Sequence, residues 1–116
     1  MTGMLQSGSL KNKTIIVTGG GTGLGRSMGK YFLELGANLV ITSRKKDVID
    51  STATALSQET GGKVLAVPCD VRKYEEIENV IRTAEAEFGA VNGVVNNAAG
   101  NFISPTERLS HRAFDI

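Results

Sequence analysis

Six glycines fall between Gly19 and Gly29, out of 14 in a chain of 116 residues. Five of them sit in the run Thr18-Gly19-Gly20-Gly21-Thr22-Gly23-Leu24-Gly25. A pyrophosphate docking on a polypeptide needs three things at one point. The backbone must turn tightly. It must approach the anion with no Cβ in the way. A helix N-terminus must also aim N–H groups at the charge. Gly19, Gly23 and Gly25 answer those needs. Two further groups carry charge suited to a nucleotide. Ser43 is followed by Arg44, Lys45 and Lys46, and Asp70 by Val71 and Arg72. A guanidinium binds a phosphate bidentately and can stack on an aromatic base, whereas a carboxylate repels a phosphate.

These residues are useful only if the chain brings them together. Four short, β-branched-rich runs read as strands buried on both faces: Thr14–Thr18, Asn38–Thr42, Lys63–Val67 and Val91–Asn96. Three helical patterns separate them. The first places Leu24, Met28, Phe32 and Leu35 on one face and stops at Gly36. The second carries Val48/Ile49, Thr52/Ala53 and Leu56 and stops at Gly61-Gly62. The third carries Ile77, Val80, Ile81, Ala84 and Phe88 and stops at Gly89. A spacing of three and four makes one apolar stripe, and glycine suits the left-handed end of a helix.

The order is β-α-β-α-β-α-β, which predicts an α/β fold, a Rossmann-like doubly wound parallel sheet with right-handed crossovers. In such a sheet the glycine run follows the first strand and opens the first helix, the context a dinucleotide-binding loop requires. Ser43 and Asp70 close the second and third strands, where ligands lie. With Ser43 and Arg44 in place of an acidic residue, the expected cofactor is NADPH; Lys45 and Lys46 read as a solvated helix start. A fourth helical pattern begins near Thr106 and is cut at Ile116. Residues 1–116 are therefore expected to be the N-terminal, dinucleotide-binding part of a longer domain.

Composition excludes several classes. Apolar residues are 41% and charged residues 22%, an ordinary globular balance. Lys+Arg is 13 and Asp+Glu 12, which gives no dense basic surface for nucleic acid. No run approaches the roughly 20 apolar residues of a membrane helix. The N-terminus lacks the apolar core of a secretory signal. Cys69 and His111 are the lone cysteine and histidine, so neither an internal disulfide nor a metal site is expected. A reducing, cytoplasmic location follows as the expectation.

The glycine run resembles that of the short-chain dehydrogenase/reductase family. Asn96-Asn97-Ala98-Ala99-Gly100 is similar to the family's Asn-Asn-Ala-Gly motif with one alanine more, and Asp70-Val71 stands where the family's aspartate holds adenine. The longer segment from Asn96 to Ser110, with Ser43-Arg44-Lys45 and Cys69-Asp70-Val71-Arg72, resembles the NADPH-dependent 2,4-dienoyl-CoA reductases. That resemblance implies roles. Gly19, Gly20, Gly21, Thr22, Gly23 and Leu24 would cradle the pyrophosphate. Ser43 and Arg44 would take the 2′-phosphate. Asp70 and Val71 would flank adenine. Asn97, Ala98, Ala99 and Gly100 would line the adenosine side. Arg44, Arg72, Phe102 and Ser110 would contact an acyl-CoA thioester.

In that group hydride adds to the far end of a conjugated diene, and the dienolate is protonated to a 3-enoyl-CoA. The family's tyrosine–lysine pair is missing here. Tyr31 is followed four residues on by Leu35, and Tyr74 by Glu78. No catalytic residue is assigned, and the 116 residues alone are expected to be inactive. The resemblance also implies a homo-tetramer at full length. Two alternatives stand beside this reading: another short-chain reductase acting on a 2-enoyl-CoA or 3-oxoacyl thioester, and a non-catalytic nucleotide-binding fragment.

Overall fold

The structure is a computed structural model and describes residues 8–21 and 23–97. Four strands and three helices alternate: β1 (Thr14–Thr18), α1 (Gly23–Glu34), β2 (Asn38–Ser43), α2 (Lys46–Thr60), β3 (Val64–Pro68), α3 (Tyr74–Phe88) and β4 (Gly93–Asn96). The strands form one parallel sheet in the order β3-β2-β1-β4. The chain steps outward twice from β1 and then crosses back to its other side. This reversal opens a crevice at the carboxyl ends of β1 and β4. Val17 pairs with Ile41 on one side and Val95 on the other, so β1 is the central strand of the crevice.

The pleat divides the core. Ile16, Val40, Val67 and Val94 face α3, which buries Val80, Ile81 and Ala84 against them. Val17, Leu39 and Ile41 face the other way, onto Leu33 of α1 and Ile49 and Leu56 of α2. Burying each such side chain fully stabilises the fold by about 1.5–3 kcal/mol before the entropy of ordering it is counted. The near-continuous burial of β2, from Leu39 through Thr42, is what helices on both faces require.

Three details differ from the sequence expectations. The inward face of α1 is Gly25, Gly29 and Leu33, with Met28 and Phe32 beside it. Leu24 instead stands 67% exposed, and Leu35 is buried beyond the helix end. A Cβ on Gly29 would lie 2.8 Å from Leu39 Cδ2, so the closest approach of α1 to the sheet falls on residues with no side chain to count. β3 runs one residue later than expected and reaches Pro68, whose missing N–H costs little at the sheet edge. β4 starts at Gly93, two residues late, because the Asn92 side chain takes over the ladder: its Oδ1 accepts the Thr14 N–H at 2.8 Å. The helix expected from Thr106 lies outside the described residues. Among the described residues no helix is long and apolar enough to cross a membrane.

Candidate functional site

The carboxyl ends of all four strands meet at one cleft of about 590 Å³. Gly19 and Gly21 follow β1. Ser43, Arg44 and Lys45 follow β2. Cys69 to Arg72 follow β3, and Asn96 ends β4. Of the expected site residues, Gly19, Gly21, Ser43, Arg44, Asp70, Val71 and Arg72 are brought together on its walls.

The glycine run is built for close approach. Gly19 has φ +68°, its N–H donates to the Thr42 carbonyl at 2.7 Å, and its own carbonyl accepts the Asn97 side-chain amide at 3.3 Å. Gly25, on the first turn of α1, passes so close that an added Cβ would collide with the Gly19 carbonyl oxygen and lie 3.0 Å from Asn97 Nδ2. A Cβ on Gly21 would meet Val48 Cγ1 at 2.7 Å, and one on Gly20 would meet Ile41 Cγ2 at 2.6 Å. The buried Thr52 hydroxyl donates to the Gly21 carbonyl at 2.7 Å and ties the loop to α2. Gly20 is therefore packed against the sheet, and Asn97 braces the loop. Leu24 projects into solvent, and Gly23 opens α1 at φ +57°. Thr22, Ala98, Ala99, Gly100, Phe102 and Ser110 lie outside the described residues.

The charged wall is asymmetric. Asp70 and Arg72 form a bidentate pair, with Arg72 Nε 3.0 Å from Oδ1 and Nη2 2.9 Å from Oδ2. The Arg72 backbone N–H also donates to Oδ1 at 3.0 Å. These Arg72 hydrogen bonds hold the Asp70 carboxyl well below the usual carboxylate range, with Arg44 adding to the effect. With a depressed carboxyl pKa, the pair's contribution to stability is fully present above the ordinary carboxylate range and is lost as pH falls from there through the lower folded value. The cleft charge thus does not change through Asp70 between pH 5 and 8. Replacing Arg72 with alanine is expected to return the Asp70 midpoint toward the ordinary range. A carbon-detected NMR titration of the Asp70 carboxyl reads this, and an unmoved midpoint contradicts it.

Arg44, by contrast, enters no ion pair among the described residues. Its neighbour Ser43 accepts the Lys45 N–H on Oγ at 3.0 Å, leaving the hydroxyl proton available. Lys45 and Lys46 are both exposed, as expected of a solvated helix start, and Lys46 pairs with Asp50 at 2.6 Å. Lys45, the N-cap of α2, also borders the cleft. Val48, Cys69 and Asn96 are further wall residues that sequence reasoning left out of the site. Val48 reads from the sequence as part of the apolar stripe of α2. The Asn96 side chain accepts the Thr18 hydroxyl at 2.8 Å. Burial pushes the Cys69 thiol up, which keeps it unreactive. No cluster of potential metal ligands occurs among the described residues.

The two tyrosines stand apart from any lysine partner four residues on. Tyr31 lies in α1 against Phe32, and Tyr74 opens α3 half-exposed. The arrangement sets a glycine loop, a guanidinium without an ion pair and a hydroxyl around one cleft, and among the described residues neither tyrosine is followed four residues on by a lysine.

Comparison with known proteins agrees with this geometry. The family described as short chain dehydrogenase matches residues 13–116. The chain is 38% identical to a probable 2,4-dienoyl-CoA reductase 3 of Caenorhabditis elegans, over 95% of this chain and 36% of that protein. It is 36% identical to the peroxisomal 2,4-dienoyl-CoA reductase of Mus musculus, over 90% of this chain and 36% of that protein. The chain thus spans about a third of the length of the curated relatives it matches. Among solved structures it is similar to the L-sorbose reductase of Gluconobacter frateurii complexed with NADPH and L-sorbose. There the TM-score is 0.72 and the identity 30%, covering 76% of this chain and 34% of the other.

Proposed function

The chain belongs to the short chain dehydrogenase family, and from that premise we propose that it provides the NADPH-binding part of a reductase acting on a 2,4-dienoyl-CoA. The observation that carries the cofactor assignment is the end of β2. Ser43 and the uncommitted Arg44 stand there, in the same cleft as the glycine run, with no carboxylate in their place. Arg44 and the Ser43 hydroxyl would hold the 2′-phosphate, and the loop from Gly19 to Leu24 the pyrophosphate. The missing Cβ atoms at Gly21 and Gly25 let the loop pack against Val48 and the start of α1 against the Gly19 carbonyl, which sets the path of the proposed cradle. Asp70 and Val71 would flank the adenine, and Asn97 to Gly100 the adenosine side. When bound, NADPH supplies the hydride. What this chain contributes is binding and orientation.

The thioester assignment is supported by the relatives named 2,4-dienoyl-CoA reductases. Arg44 and Arg72 offer guanidinium groups that suit the phosphates of a CoA, and Phe102 and Ser110 complete the proposed acyl-CoA contacts. We propose a homo-tetramer for the full-length protein. For location we propose a reducing compartment, which the single Cys69 fits; the relative named peroxisomal widens this beyond the cytoplasm expected from composition. Residues 1–116 alone are expected to bind NADPH without turning it over, because neither tyrosine has its lysine. The test follows NADPH absorbance with dienoyl-CoA, 2-enoyl-CoA and 3-oxoacyl-CoA thioesters, on the 116 residues and on the full-length protein. Oxidation by the 116 residues contradicts the expected inactivity. A full-length preference for an enoyl or oxoacyl thioester overturns the substrate.

A further inference from the structure

Asp70 is gripped from several directions at once. Its carboxylate is held by Arg72, and its carbonyl accepts the Lys73 N–H at 3.0 Å. Its backbone N–H donates to Glu76 Oε1 at 2.7 Å. That last contact reaches six residues forward, from the lip of the cleft to the first turn of α3. Glu76 itself is not on the cleft wall. It stands on a helix anchored to the sheet by Val80, Ile81 and Ala84. Cys69 and Val71 pack on the apolar face of α3, and the Glu76 contact adds to that packing a direct hold on the Asp70 backbone. A carboxylate is well suited here. It accepts an N–H more strongly than a neutral group, and it opposes the positive end of the α3 dipole.

We propose that Glu76 is a positioning residue for the adenine end of the cleft, acting through Asp70. The inference rests on the reading of this cleft as an NADPH site. Glu76 holds the Asp70 backbone, and the backbone fixes where the Asp70 carboxylate and the Val71 side chain stand. Glu76 touches no ligand itself. Its removal should therefore blur the adenine pocket while leaving the glycine loop and Arg44 unchanged.

The experiment is calorimetric titration of the protein with NADPH and with 2′,5′-ADP, at a temperature where every variant is folded. Glu76→Ala and Glu76→Ser cannot reach the Asp70 N–H, and each should weaken both ligands by roughly 5–10-fold. Glu76→Gln keeps Oε1 as an acceptor and should stay within about twofold of the parent. In the Asp70→Ala background, Glu76→Ala should add less than about a twofold loss, because the group it positions is gone. A merely stabilising role would lower Tm and leave both affinities unmoved. Unchanged affinity in the alanine and serine variants overturns the proposal. So does an equal loss in the Asp70→Ala background, or a glutamine variant as weak as the alanine one. If the parent protein binds neither probe, the NADPH reading falls and this inference falls with it.

Discussion

Alanine at Gly25 is expected to weaken nucleotide binding strongly, while a matched alanine at Gly29 is expected to leave it nearly unchanged. Both glycines lie on the inward face of α1, and both are packed too tightly for a Cβ. They differ in what the Cβ would strike. At Gly29 the nearest atom is Leu39 Cδ2, the end of a side chain that can rotate away. At Gly25 it is the Gly19 carbonyl, with the Gly19 carbonyl carbon 2.9 Å away. That carbonyl has no room to retreat. The Gly19 N–H is fixed to Thr42, and the carbonyl itself is braced by Asn97. The strain must move either the loop or the start of α1, and both belong to the proposed pyrophosphate cradle. Overpacking of this kind costs about 1–3 kcal/mol. The loop can shed that cost by leaving the geometry that binds. The expected result is a loss of NADPH affinity of roughly 5–150-fold for Gly25→Ala and less than about threefold for Gly29→Ala. Both variants should show a lowered Tm. Titration calorimetry beside a thermal melt checks this. Equal affinities in the two variants contradict the cradle.

The same pair of glycines marks the limit of what the sequence makes legible. Alternating strands and helices follow from local patterns, and the order of elements agrees with the structure throughout the described residues. The inward face of α1 does not follow, because a stripe count gives no weight to glycine. The stripe of Leu24, Met28, Phe32 and Leu35 includes Met28 and Phe32, which do pack on the core, but it takes in the exposed Leu24 and passes over Gly25, Gly29 and Leu33. The site divides in the same way. The glycine run, Ser43-Arg44 and Asp70 are contiguous signals whose place at strand ends is set by chain order alone. The hydrogen bond from Thr52 to the Gly21 carbonyl joins residues 31 apart, and no local pattern announces it. Lys45 reads as one cation in a solvated row and is exposed, but that the turn into α2 also sets it beside the cleft has no local signal. Asp70 and Arg72 read as two separate ligand contacts and form one ion pair. Any ligand group that takes the Asp70 carboxylate must therefore displace, or share it with, a guanidinium.

That contrast between the two arginines sets the expected outcome at Arg44. Arg72 has its charge matched by Asp70, so its removal exposes a carboxylate and also takes away a cation. Arg44 forms no ion pair among the described residues, its effect on Asp70 is minor beside that of Arg72, and its removal would take away chiefly the proposed phosphate ligand. A guanidinium–phosphate contact contributes about 1.5–3 kcal/mol, so Arg44→Ala should weaken NADPH by roughly 10–100-fold. NADH carries no 2′-phosphate and should change by less than about threefold. The loss should shrink as salt is raised, because an exposed charge contact is screened at high ionic strength. Adding Ser43→Asp to Arg44→Ala takes the argument one step further. A carboxylate at the end of β2 accepts the ribose hydroxyls of NADH and repels a 2′-phosphate, so the double variant should prefer NADH. The measurement is a pair of fluorescence titrations, NADPH and NADH, at low and high salt on all three proteins. Equal losses for the two cofactors in Arg44→Ala would mean that Arg44 supports the cleft wall and does not read the phosphate. The basis for choosing NADPH over NADH would then be gone.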